Sequence, residues 1–404
     1  MSKAAGTADK RSGPLTDIRV IELGQLIAGP FCGQLLADMG ADLIKIEAPG
    51  KGDPLRQWGD AAPGLFWKIC ARNKRTISAD LRQADGQDLV RRLIGEADMV
   101  IENFRPGTME KWGLGYDALK EINPGLIMIR ISGYGQTGPY AHRPGYASVG
   151  EAMGGLRYVM GEPDRLPSRA GISIGDTLTG TLAAYGALAA LHHRNRTGQG
   201  QVVDAAIYES ILSVMESLIP DYTVAGVARE RSGSFLKGIA PSNIYEAKDG
   251  MLIIAANQDT LFKRLSEAMG RPELSSDPAY STHGARGENQ KILDRLINEW
   301  SKTYALAELE AVLEAHAIPF GRLYRSADML DDPHFAAREA IISTPTDLNP
   351  DLKMQNIFPK LSKTPGTVRW PGSDKPGTDT IDVLEELLDL TPEQVAKLKD
   401  SGVI

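Results

Sequence analysis

Cysteine is scarce in this 404-residue sequence: Cys32 and Cys70 are the only two, too few for a disulfide scaffold and in keeping with a reducing compartment. No apolar run reaches the ~18 residues that a membrane span needs. The start, Met1 to Pro14, is a polar leader without the apolar core of a signal peptide. There is no long basic run, and 45 basic against 52 acidic residues leave a net charge of −7, which argues against a nucleic-acid partner. The phosphate-loop pattern G-x-x-x-x-G-K-[ST], H-E-x-x-H and C-x-x-C are all missing. Six dispersed histidines and two isolated cysteines argue against a catalytic metal. Glycine (42) and proline (24), by contrast, are plentiful and call for many tight turns. These features together predict a soluble cytoplasmic enzyme of α/β type.

Short β-rich runs alternate with helical patterns. Ile18–Glu22, Asp42–Glu47, Met99–Glu102 and Leu126–Ser132 read as strands. Ala28–Met39, Asp88–Ile94 and Met109–Lys120 read as helices. That alternation predicts a parallel sheet covered by helices, a Rossmann-like large domain. The nearly unbroken apolar run Leu126–Ile131 suits a strand buried on both faces. Leu178, Leu182, Tyr185, Leu188 and Leu191 recur at helical spacing and predict a long helix over Thr177–His193. It is followed by a strand (Gln201–Ala205) and a helix (Ile207–Leu218). The expected division is a polar leader at 1–14, a large domain at 15–224 and a smaller α/β domain at 225–325. The remainder, 326–404, would return to complete the large domain. The small domain should hold a strand at Met251–Ala256 and three helices, with Pro319–Tyr324 leading out of it. A proline-rich tail, Pro345–Gly377, precedes two helices, the second capped by Thr391 ahead of Pro392.

Three motifs could carry chemistry. Gly133–Gly138 is a literal G-x-G-x-x-G after a strand, half of a dinucleotide fingerprint. Pro139–Gly145 is a poor opening for the helix that should follow, so a loop shaped around another ligand, or a plain turn, is the better reading. Gly171–Gly175 is a literal G-x-S-x-G, but the lead-in Asp164–Ala170 is polar and holds a proline, unlike the strand of a nucleophile elbow. A serine acyl-CoA hydrolase using Ser173 therefore stays an alternative. Asp176 opens the Thr177 helix. Aspartate there is ordinarily an N-cap, yet the positive helix end also favours a charged carboxylate able to attack a thioester. Position alone leaves both readings open.

The ordered segments Ile18–Glu47, Gly52–Arg56, Arg72–Leu81, Ile101–Tyr116, Gly133–Pro139, Gly175–Gly180 and Thr197–Ser210 together resemble the class III coenzyme A transferases. That is the family of the formyl-CoA:oxalate and carnitine CoA-transferases. The resemblance implies that Asp176 is the nucleophile, passing through an acyl-aspartyl anhydride and an aspartyl-CoA thioester, with CoA thioesters as substrates and no metal. It implies CoA contacts at Leu26, Ile27 and Ala28, at Ala71, Arg72, Asn73 and Lys74, and at Asn103, Phe104 and Arg105. Lys74 and Lys111 would meet phosphates. An interlocked homodimer follows from the same resemblance. The racemases of the family carry a histidine and an acid where this chain has Tyr146–Ala147, so racemisation is disfavoured. The covering loop near Lys237 and Gly238 holds a single glycine. The stretch Gly145–Ala152 looks most like relatives that pair succinyl-CoA with glutarate, malate, citramalate or itaconate. Arg169 is the expected partner of the acceptor's distal carboxylate, with Lys237 second.

Overall fold

A computed structural model describes residues 11–59 and 62–404. Of the polar leader, Met1–Lys10 lie outside the described residues. From Arg19 the chain runs β1 (Arg19–Glu22), α1 (Ala28–Asp38), β2 (Asp42–Glu47), α2 (Leu65–Cys70), β3 (Lys74–Ser78), α3 (Ala84–Gly95) and β4 (Met99–Glu102). Next come the short helices α4 (Thr108–Lys111) and α5 (Tyr116–Leu119), then β5 (Ile127–Ser132), α6 (Ala147–Met153), α7 (Leu156–Val159) and the long α8 (Ile174–Thr197). They are followed by β6 (Val202–Ala206), α9 (Ile207–Leu212), α10 (Leu218–Ala225), β7 (Ser242–Glu246) and β8 (Met251–Ala255). The helices α11 (Asp259–Ala268), α12 (His283–Glu288), α13 (Gln290–Ser301) and α14 (Leu306–Ala315) lead to β9 (Phe320–Arg322), α15 (Ser326–Asp331) and α16 (Pro333–Ala337). The chain ends with β10 (Ile341–Ser343), β11 (Lys353–Gln355), α17 (Thr380–Leu388) and α18 (Pro392–Asp400).

Two compact units result. The first holds the chain to Leu156, Ala170–Glu216 and Arg338–Ile404; the second holds Arg157–Arg169 and Ser217–Ala337. In the first, six parallel strands lie in the order β3-β2-β1-β4-β5-β6. The order reverses between β1 and β4, the crevice where open parallel sheets bind ligands. Alternation along the strands serves two cores. Val20, Leu43, Met99 and Ile129 pack with α1 and α8, and Ile21, Ile44, Val100 and Met128 pack with α3 and α17. All six residues of β5 are buried, as its apolar run predicts.

The return segment is stitched onto this sheet. Asn73 N–H donates to the Trp370 carbonyl at 3.0 Å, Arg369 N–H to Asn73 Oδ1 at 2.7 Å, and Thr76 N–H to Asp379 Oδ2 at 2.7 Å. Thr391 caps α18, its hydroxyl accepting from Gln394 N–H.

The second unit has its own sheet, antiparallel in the order β7-β8-β9, and a core of Tyr245, Leu252, Ile254, Phe262, Leu293 and Leu309. Four local expectations change. The helix expected over Ile207–Leu218 ends at Leu212, and a separate helix, α10, begins at Leu218. Met109–Lys120 is two short helices, because Gly113 turns the chain at φ +65°. The second unit has four helices between Asp259 and Ala315 rather than three, and Pro319–Tyr324 contains a strand, β9, because its backbone pairs with β8.

Candidate active site

Helix α8 begins earlier than the sequence suggests. Ser173 occupies the N-cap position without a side-chain cap bond, and Asp176 is the third helical residue, half-buried in the first turn. The N-cap reading of Asp176 is thereby replaced: its carboxylate stands inside the first turn, where the N–H groups lack intrahelical partners and negative charge is favoured. Gly175 N–H is taken by Oε1 of Glu151, a carboxylate only 2% exposed, at 3.3 Å. A Cβ on Gly175 would stand 3.2 Å from both the Ala147 carbonyl and Glu151 Oε1, tighter than an ordinary contact, so the glycine eases the approach of α6. Thr179 closes the turn by donating to the Gly175 carbonyl at 2.6 Å.

One turn on, Gly180 meets α1. A Cβ there would lie 2.8 Å from the Ala28 carbonyl and 3.1 Å from Cys32 N. Residues four apart share a helix face. Asp176 therefore stands one turn before the point where α8 touches the start of α1. Leu26 is held at φ +63°, a conformation that costs a leucine roughly 1–3 kcal/mol and persists only when its surroundings enforce it. Asn103 supplies part of that enforcement. Its Oδ1 accepts Gln25 N–H and its Nδ2 donates to the Gln25 carbonyl, both at 2.8 Å.

Beside this turn, at the C-terminal ends of β1 to β4, lies a cavity of about 280 Å³. Leu23, Ile46, Ala79, Leu81, Phe104 and Trp112 line it together with the cations Lys51 and Arg82 and the acids Glu47 and Asp80; Arg82 donates to Asp80 through Nε at 2.8 Å and Nη2 at 2.9 Å. Phe104 and Trp112 meet edge-to-face, ring centres 5.1 Å apart. Phe104 N–H donates to Glu102 Oε2 at 2.8 Å, and Glu102 in turn accepts from Arg130 Nε at 2.7 Å. Burial pushes the Glu102 carboxyl up to about 6, against the pull of Arg130. Arg105 and Lys111 are exposed in and just after the same turn.

Ala71–Lys74 sit at the opposite, N-terminal end of β3. All four are buried. Arg72 is bound through Nε and Nη2 to Asp38 and through Nη1 to the Gln355 carbonyl; Asn73 Nδ2 donates to Asp38 and to the Thr367 carbonyl. Lys74 Nζ donates to Glu22 Oε2 at 2.6 Å and to the Pro30 carbonyl at 2.7 Å, so its charge is neutralised inside the unit rather than offered to a phosphate. The residues that line the cavity from this strand are Ala79–Arg82 at its far end. The reading from sequence missed them, as it missed Glu151, Glu22 and Lys45. A lysine between two isoleucines, Lys45 in Ile44–Ile46, was the available signal.

Arg169, Lys237 and Gly238 belong to the second unit. Arg169 and Lys237 are exposed. The loop around Gly238 (φ +83°) is clamped by Gln290, which accepts Gly238 N–H at 3.2 Å and donates to the carbonyls of Leu236 (3.2 Å) and Ile239 (3.0 Å).

The competing chemistries find little support. No strand leads into Ser173, so the nucleophile-elbow context is missing. After Gly138 no helix begins until Ala147, and the glycine loop closes on its own sheet instead: Gly135 N–H meets Ser132 Oγ at 2.9 Å and Gln136 N–H meets Asp204 Oδ2 at 3.0 Å. Both cysteines are buried free thiols, and burial pushes Cys70 up to about 12 and Cys32 higher still, so neither is a thiolate at neutral pH. Among the described residues no group of three or more His, Cys, Asp or Glu could hold a metal, and no helix is long and apolar enough to cross a membrane.

Comparison with known proteins adds a separate finding. The model of a family described as CoA-transferase family III matches residues 15–380. The chain is 53% identical over 395 residues to a succinyl-CoA–D-citramalate CoA-transferase of Chloroflexus aurantiacus, covering 97% of this chain and 98% of that one. It is 36% identical to a succinate–glutarate CoA-transferase of Agrobacterium fabrum, covering 93% and 96%. Among solved structures, a CAIB/BAIF family protein from Brucella suis superposes with a TM-score of 0.83 at 36% identity, covering 93% of this chain and all of that one.

Proposed function

Because the chain belongs to CoA-transferase family III, we propose that it moves CoA from succinyl-CoA to a short dicarboxylic acid, D-citramalate foremost, by a covalent relay on Asp176. The observation that carries this reading is the 53% identity to a succinyl-CoA–D-citramalate CoA-transferase; the close approach of Gly180, one turn after Asp176, to the Ala28 carbonyl at the start of α1 supports the choice of residue.

An oxygen of the Asp176 carboxylate attacks the thioester carbonyl of succinyl-CoA and expels the CoA thiolate, leaving a succinyl-aspartyl anhydride. The thiolate attacks the aspartyl carbonyl of that anhydride and releases succinate, forming the aspartyl-CoA thioester. The acceptor's carboxylate attacks the same carbonyl and expels the thiolate again. Attack of the thiolate on the acceptor's acyl carbon then yields the new thioester and frees Asp176. Each step exchanges one carboxylate or thiolate for another, so the thioester's energy is conserved and no step calls for a metal or ATP. The negative oxygen that develops at each carbonyl needs N–H donors, and the first turn of a helix such as α8 offers N–H groups without intrahelical partners, apart from Gly175 N–H, which Glu151 takes.

In this reading CoA lies along the C-terminal edge of the sheet. Its adenine end would occupy the Phe104–Trp112 cavity, with Lys51, Arg82, Arg105 and Lys111 near its phosphates. Asn103 and residues Leu26–Ala28 would guide the thioester toward Asp176. For Ala71–Lys74, the internal partners described above favour a supporting role. Arg169, with Lys237 and Gly238, is assigned to the acceptor's distal carboxylate. Arg169→Ala should raise the acceptor KM about 10- to 100-fold, the loss of a charge-assisted pair, and leave the donor KM unchanged; an unchanged acceptor KM removes Arg169 from this role.

The protein acts as a homodimer in this reading. Exposed apolar side chains support it: Tyr185 (72% exposed) and Leu188 on α8, and, in the second unit, Tyr222 and Val224 (87%) on α10. Light scattering should give twice the chain mass of 43.7 kDa; a monomer mass would end that part. A cytoplasmic location, supported by the two unpaired thiols, belongs to the same reading. A panel of acyl-CoA donors crossed with dicarboxylates tests the whole. Succinyl-CoA with D-citramalate, malate, glutarate or itaconate should give free succinate and a new thioester with ping-pong kinetics. Hydrolysis at equal rate without acceptor would overturn it.

A further inference from the structure

Two carboxylates and two ammonium groups that no step above uses lie beneath the Gln25–Ala28 turn. Glu22 ends β1, and Lys45 stands opposite it in β2; both are fully buried. Lys45 Nζ lies 3.1 Å from Glu22 Oε1 and 2.8 Å from Asp53 Oδ2, and it donates to the Gly24 carbonyl. The other Glu22 oxygen takes Lys74, which also donates to the Pro30 carbonyl. The other Asp53 oxygen, Oδ1, accepts Leu26 N–H at 3.1 Å and Leu55 N–H at 2.8 Å. The chain Lys74–Glu22–Lys45–Asp53 thus balances two charges of each sign and grips the backbone at Gly24, Leu26 and Pro30.

Buried ion chains of this kind are poor contributors to stability, because desolvation offsets their attraction; their use is to impose one geometry. Here the geometry imposed is an unfavourable one, a leucine at φ +63°. Released, Leu26 would relax to negative φ and carry its neighbours with it. We propose that Glu22, Lys45 and Asp53 are positioning residues for CoA, holding Leu26 in the left-handed conformation that aims the Leu26–Ala28 turn at the ligand. The proposal rests on the reading above in which this turn meets CoA.

Titrations of CoA into Asp53 variants test it. Asp53→Ala removes the acceptor of Leu26 N–H and one partner of Lys45. It should raise the CoA Kd and the succinyl-CoA KM about tenfold, with kcat at saturating donor much less affected. Asp53→Asn keeps the volume and one acceptor oxygen but not the charge, should fall between, and carries the test if the alanine variant does not fold. Adding Leu26→Gly to either variant should recover part of the CoA affinity, since glycine adopts positive φ without penalty. A purely structural role would lower thermal stability without this rescue. Wild-type CoA affinity in both Asp53 variants, or no recovery with glycine, overturns the proposal. Failure of the unsubstituted protein to bind CoA would instead strike the functional reading beneath it.

Discussion

Asp176→Ala should abolish CoA transfer, by on the order of 10⁴-fold or more, as loss of a covalent nucleophile does, while leaving CoA affinity within about twofold. The reasoning is geometric. Asp176 lies in the first turn of α8, so truncating it removes the reacting oxygen and leaves untouched both the cavity at Phe104 and the Asn103–Gln25 pair. Asp176→Glu keeps the charge but moves the carboxylate outward by one methylene; a displacement of about 1 Å costs on the order of 10²-fold where attack must be aligned. A direct readout is available. Protein mixed with succinyl-CoA and no acceptor, then quenched with hydroxylamine, should carry a hydroxamate at Asp176 in peptide mass spectra. An unmodified Asp176, or a modification at Ser173, would refute the relay. Labelling of Ser173 by a fluorophosphonate is the matching test of the hydrolase alternative and should fail.

The second large effect is expected at a residue that has no side chain. Gly180→Val forces side-chain atoms into a space where even a Cβ would stand 2.8 Å from the Ala28 carbonyl and 3.1 Å from Cys32 N. Both neighbours are backbone of α1 and cannot swing aside as a flexible side chain does. The helices must separate, at a cost of about 1–3 kcal/mol for overpacking a close contact. Because Asp176 lies one turn before Gly180 on the same helix, separation also displaces the proposed nucleophile, and kcat/KM should fall on the order of 10²-fold. Gly171→Ala is the control: nothing lies within 4 Å of a Cβ there, and its effect should stay within about 0.5 kcal/mol. Thermal melts and steady-state rates on the two variants decide it. Equal behaviour of Gly180→Val and Gly171→Ala would mean that the α1–α8 contact does not position the site.

These expectations show where local pattern suffices. The strands Met99–Glu102 and Ile127–Ser132 were legible because a strand buried on both faces must be apolar almost throughout. Gly180, Ala183, Ala184, Gly186 and Ala187 leave room for close packing along α8, though the sequence does not say against what. Asp176 stood out through its place before a helical run, yet the helix start was misjudged. Ile174 and Gly175 show no helical periodicity of their own, and in the fold Gly175 N–H finds its partner in Glu151 of α6.

Lys74 and Lys51 draw the boundary most sharply. Read along the chain, both are lysines in or near loops, equally fit to meet a phosphate. Folded, Lys74 is sealed against Glu22, 52 positions away, while Lys51 stands at the cavity edge. The amino-acid order alone made the parallel sheet and the family legible, because these rest on periodicity and on short motifs in a fixed order. Which charges face the ligand and which face each other was decided only in three dimensions, since a charge finds its partner by strand register and helix contact across tens to hundreds of residues.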